Sequence, residues 1–136
     1  MTGGRSSLPA GRRGSFALEF ALVAPCMLIL LIGLIDLGRM FGDQHALDEG
    51  VSVAARYAVV NSASATVASI KSQFMQSVQP VLGNCTGCTI AVTFTPSYQP
   101  GATVTVSATY AWAPSVPITL MAAQSLASAT TLTVQN

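Results

Sequence analysis

The chain has 136 residues, 51% of them apolar and 8% charged, with six bases against five acids. That balance is too apolar for a disordered protein and leaves surface that a free monomer would not expose, so the length suits one modest core plus an appendage. Arg5, Arg12 and Arg13 fall in the first thirteen positions, and from Ser15 onward three bases face five acids, which argues against nucleic acid as a partner because no basic stripe is left to neutralise phosphates.

The first fourteen residues read as a flexible basic leader without a single acid. Phe16 to Ile35 then form a twenty-residue apolar run, roughly 30 Å at helical rise and the thickness of a bilayer's hydrocarbon core. Three arginines before it and mixed charges after it (Asp36, Arg39, Asp43) predict a transmembrane helix over residues 15–38 with a cytoplasmic N-terminus, and residues 39–136 exported. A cleaved secretory signal is the rival, but such a signal ends in small residues, whereas this run ends in LIDLGRMFGDQ. Pro25 reads as a kink tolerated in a membrane helix, and Cys26 as a small apolar packing residue.

Past the membrane the helical pattern continues. Leu47, Val51, Ala54, Ala55 and Ala58 recur at helical spacing, and Val53, Tyr57 and Val60 make a second stripe beside them. Either the exported head or other subunits would cover these stripes. ATVASIKSQFMQSVQPVLGN predicts a second amphipathic helix with Val67, Ile70, Phe74, Val78 and Val81 inward, closing near Pro80 and Gly83-Asn84. Cys85 and Cys88 follow, across a Gly-containing turn. In an oxidising compartment they are a candidate local disulfide; a redox motif lacks its βαβ setting, and zinc would need two more ligands.

Strand signals take over from there. Ile90, Val92 and Phe94 alternate with threonines, Val104, Val106, Tyr110 and Trp112 share one face, and Leu132 and Val134 share a face of the last run, with TPSYQPGAT and APSVP as turns. The expected fold is α+β: a transmembrane helix continuing into a stalk, a second amphipathic helix, and a small antiparallel sheet of about three strands.

Glu19, the only charge in the apolar run, needs a reason. A carboxylate inside a membrane helix costs on the order of 2.5–3.5 kcal/mol, so such residues usually face a partner. Cleavage after Gly14 would leave Ser15 as a new N-terminus with Glu19 as the fifth residue. The terminal amine of a neighbouring subunit would then suit the carboxylate as helices pack side by side.

The leader, Gly14 and the acid five residues on resemble prepilins cut by a membrane-embedded prepilin peptidase. More narrowly, RRGSFALEFALVAP followed by DLGR is similar to the TadE-like family, the pseudopilins or minor pilins of the tight adherence (Flp-type) pilus system. The resemblance implies processing between Gly14 and Ser15, and assembly contacts at Glu19 and Phe20. It also implies a pilin-like head in the periplasm or outside the cell, single-pass residence in a bacterial inner membrane, and use in pilus assembly, surface attachment and biofilm formation. Its implied partners are the peptidase, other pilin and pseudopilin subunits, the inner-membrane assembly machinery and the lipid bilayer. Ser15 departs from the Phe that begins many mature type IV pilins.

No enzyme is expected. His45 near Asp43, Asp48 and Glu49 could suggest acid-base or metal chemistry, but a charged collar outside the membrane explains the same residues, and no positioned nucleophile accompanies them. No cofactor, metal or small-molecule substrate is expected either. The alternative in another class is an uncleaved single-pass anchor carrying a small exported binding domain.

Overall fold

The structure is a computed structural model and describes residues 11–95, 101–115 and 122–134, with side chains from residue 16 onward. Helix α1 runs unbroken over Gly11–Val60, 50 residues, or roughly 75 Å at 1.5 Å per residue. It is longer at its start than the leader reading expects, since residues 11–14 are helical; the rest of the expected leader, 1–10, lies outside the described residues. Arg12 and Arg13 are good helix formers, and adding a turn to an existing helix costs far less than nucleating one.

A turn around Asn61 reverses the chain, with the N–H groups of Ser64 and Ala65 donating to the Asn61 carbonyl at 2.9 and 2.7 Å. Helix α2 (Val67–Leu82) starts at a capping box: Ser69 N–H donates to Thr66 Oγ1 at 3.1 Å and Thr66 N–H donates to Ser69 Oγ at 2.9 Å, satisfying two amides that α2 cannot pair internally. It ends where Gly83 takes a φ of 60° and donates its N–H to the Gln79 carbonyl. That left-handed angle suits glycine.

Ile70, Phe74 and Val78 are the buried residues of α2. Val67 and Val81, expected inward with them, are 41% and 57% exposed. The close approach of the two helices is at Gly50, where an added Cβ would lie 2.5 Å from Val78 Cγ1 and 3.0 Å from Phe74 Cε2. Helices that cross at an angle diverge away from such a point, which leaves the ends of the stripe open. Gly50→Val is therefore expected to lower the head's stability by about 1–3 kcal/mol through overpacking against a stiff β-branched neighbour. Denaturant unfolding of the detergent-solubilised chain, followed by Trp112 fluorescence, checks this; an unchanged midpoint would count against the close contact.

Strands β1 (Cys88–Thr95), β2 (Thr103–Trp112) and β3 (Gln124–Thr133) form an antiparallel meander in the order β1-β2-β3. The register sets Val92 opposite Val106 and Val104 opposite Leu132, so the even-numbered apolar residues share one face. Val104, Val106 and Ala108 are buried there, while Thr105 and Thr131 join hydroxyls at 3.0 Å on the other face. The expected turns at 95–103 and 113–117 fall partly outside the described residues, at 96–100 and 116–117. Gly101, at φ +88°, donates to the Val134 carbonyl and closes the described end of the first.

The sheet and α2 both pack on α1. Leu47, Val51, Ala54, Ala55 and Ala58 are fully buried, so the head covers the first stripe, and its alanines admit close neighbours. The second stripe is not covered to the same degree: Val53 and Val60 are exposed and Tyr57 is half-buried.

Candidate functional site

The residues singled out near the start of α1 all lie on one continuous helix. Gly14 and Ser15 are helical, and Glu19 follows Ser15 by four residues, one turn on the same side of α1. Glu19 is exposed and Phe20 is 75% exposed. No described side chain forms an ion pair with Glu19. Around it Phe16, Leu18, Leu22 and Val23 are exposed too, and the most apolar 18-residue stretch of α1, of mean hydropathy 2.5, contains no buried residue. This helix is long and apolar enough to cross a membrane. Pro25 lies within it and removes one backbone donor, and Cys26 is an exposed free thiol.

Asp36, the first residue beyond the apolar run, is the first buried residue among the described side chains of α1, at 1% exposed. Its Oδ1 accepts a hydrogen bond from Ser115 N–H at 3.2 Å and lies 3.7 Å from Arg39 Nη1. Its Oδ2 is buried and has no hydrogen-bond partner among the described residues. One turn on, Met40 Sδ accepts from Gln124 Nε2 at 2.8 Å; another turn on, Gln44 Nε2 donates to the Ala127 carbonyl at 3.1 Å and to Asp48 Oδ1 at 3.2 Å. The head is thus joined to α1 by a ladder of polar contacts starting where the apolar run stops. Sequence reading takes Asp36 as a polar exit from the membrane and misses this pairing, because nothing local to either residue links positions 36 and 115.

The collar residues His45, Asp48 and Glu49 are exposed. Burial pushes the Asp43 carboxyl, beyond the apolar run, above its ordinary value, against the lowering pull of Arg39. No cluster of metal-ligating side chains occurs among the described residues. Cys85 and Cys88 are joined in a disulfide with Cα atoms 5.3 Å apart, and Cys85 has a φ of 40°, in the left-handed region. A shallow hollow beside them is lined by Met75, Gln76, Gln79, Gly83 and Asn84, none of them ionisable.

Residues 14–56 match the family described as TadE-like protein. This part of the chain is TadE-like. The TadE-like segment begins at the glycine of the expected cut, includes Glu19, Phe20 and Asp36, and ends within α1, leaving α2 and the sheet outside it. The similarity of this segment suggests a tight adherence pilus-associated protein. No curated protein and no solved structure matches.

Proposed function

We propose that this chain is a structural minor pilin or pseudopilin of the tight adherence system. In this reading residues 1–14 are a cytoplasmic leader, a prepilin peptidase cuts between Gly14 and Ser15, and α1 holds the subunit in the inner membrane with its head outside. Other pilin and pseudopilin subunits and the assembly machinery then use it to build a pilus for surface attachment and biofilm formation. No catalysis, cofactor or small-molecule substrate is assigned to it.

The observation that carries the reading is the exposed carboxylate of Glu19. It stands without a described partner on an otherwise uncharged apolar surface, one turn after Ser15, in the TadE-like segment. A lone acid on a lipid-facing surface is costly unless assembly provides a counter-charge, and a terminal amine at Ser15 of a neighbouring subunit is at the right depth.

The uncleaved anchor finds its support in the continuation of the helix through Gly14 to Gly11, since a peptidase that takes an extended strand must unwind that turn. N-terminal sequencing of the membrane-extracted chain separates the two readings. A mature chain beginning at Ser15 is expected, and only where the processing peptidase is intact. Gly14→Trp is expected to leave essentially all of the chain at precursor mass, because a bulky residue cannot occupy a site shaped for glycine. A chain that keeps its leader in peptidase-competent cells would establish the anchor instead.

A further inference from the structure

We infer that the base of the head, formed by Ala113, Pro114, Ala122 and Ala123 around the Asp36 contact, lies against the lipid surface as a second membrane contact of this chain. The inference rests on α1 spanning the bilayer. From Phe16 to Ile35 its side chains are exposed apart from Ala24, Ile32 and Gly33, which are half-covered, and Asp36 is buried under Ser115. The head therefore begins at the level where the apolar run ends.

Two contacts fix the height of its base. Ser115 is held at Asp36, and Gln124 at Met40 one turn later, so both sides of the base lie within roughly 6 Å of the end of the run along the helix. The headgroup layer on each side of the hydrocarbon core is about 5–8 Å deep. At that depth water still reaches backbone groups, so non-helical chain is tolerated there.

The chemistry of the base suits lipid. Ala113, Ala122 and Ala123 are exposed and Pro114 is half-buried. No charged residue follows Lys71 anywhere in the chain, so neither the base nor the sheet above it carries a charge that would hold it in bulk water. The charges at this level, Asp36 and Arg39, are on α1 and pair with each other at 3.7 Å, and Asp43, Asp48 and Glu49 lie further along the same helix. The base is also tied to α1 at Asp36, the first residue beyond the apolar run, which selects lipid over a separate protein partner. Asp36 acts as a positioning residue: by taking Ser115 N–H it holds the base down at the membrane boundary.

The test uses the full chain with Cys26→Ala, the Cys85–Cys88 disulfide intact, and one added thiol carrying an environment-sensitive fluorophore, in phosphatidylcholine vesicles containing a nitroxide lipid. A label at Ala122→Cys or Ala113→Cys is expected to be quenched several-fold more than one at Ala63→Cys, an exposed position beyond the far end of α1. Adding Asp36→Ala should bring the Ala122 signal toward that of Ala63 while a label at Leu28→Cys in the apolar run stays quenched. Asp36→Asn, which keeps the accepting oxygen, should retain the contact. Equal quenching at Ala122 and Ala63 in vesicles that carry the protein on flotation overturns the inference and leaves the membrane anchor intact. Protection of Ala122 from aqueous iodide without quenching by the lipid would assign the patch to a protein neighbour and also overturn it. Failure to float with the vesicles removes the anchor and the inference together.

Discussion

Phe74→Ala is expected to destabilise the head by about 3–5 kcal/mol, the range found when a fully buried aromatic is cut back to a methyl group. Phe74 is fully buried at the middle of the α2 stripe and packs against Gly50 of α1, where an added Cβ would lie 3.0 Å from its ring. It belongs to one cluster with Leu47, Val51, Ile70 and Val78 from the helices and Val104 and Val106 from the sheet. A cavity there removes contacts from all three elements at once, and a head of this size has few others to offset the loss. Membrane insertion should not change, because the apolar stretch of α1 is uncovered by the head. The measurement is denaturant unfolding of the solubilised chain by Trp112 fluorescence, with flotation as the insertion control. Val81→Ala, at a 57% exposed position of the same predicted stripe, should stay within about 0.5 kcal/mol of the parent. Similar midpoints for the two variants would mean that α2 is not seated on Gly50.

That contrast shows what periodicity can and cannot reveal. Spacing alone puts Val67, Ile70, Phe74, Val78 and Val81 on one face of a helix, and the structure has that helix. Which members of the stripe are buried depends on where the partner helix lies, and Gly50, well upstream on α1, carries no local mark of being a contact with Phe74 and Val78. The strand faces were more legible, because alternation fixes sidedness without reference to a partner: Val104 and Val106 are buried, with Ile90, Val92 and Phe94 half-covered beside them. The apolar run and its lone acid could be read from composition directly. Asp36 could not be. Its burial depends on a hydrogen bond to Ser115, 79 residues away, and a charged residue beside an apolar run ordinarily signals exit into water. The helical state of Gly11 to Gly14 was also hidden, since two glycines in four positions argue locally for a flexible segment while the adjoining helix extends through them.

Glu19→Ala is expected to leave insertion and cleavage intact and to abolish association with other pilin subunits. Removing a carboxylate from an apolar helix makes that helix easier to insert, by the same 2.5–3.5 kcal/mol or so that the charge costs near the bilayer centre and by less toward the interface. Gly14 and Ser15 are unaltered, so the cut should still be made. The loss falls where helices meet. Glu19 stands one turn from Ser15 and has no ion-pair partner among the described residues; in the proposed reading its counter-charge is a neighbouring subunit's terminal amine. In the proposed reading, a neighbour's terminal amine enters a low-dielectric cluster of apolar side chains when subunits pack side by side, and without Glu19 it would be buried unpaired. Breaking a buried pair on one side in this way typically costs about 3–5 kcal/mol, enough to disperse a contact between single helices. Glu19→Asp separates charge from reach: the carboxylate is kept but set back by one methylene, so partial association is expected, whereas Glu19→Gln keeps the shape without the charge and should behave like alanine. The readouts are crosslinking to other pilin subunits and surface attachment, in cells where the processed variant accumulates to the parent level. If Glu19→Ala keeps both, the acid is not an assembly contact, and its position one turn after Ser15 has no bearing on how subunits join.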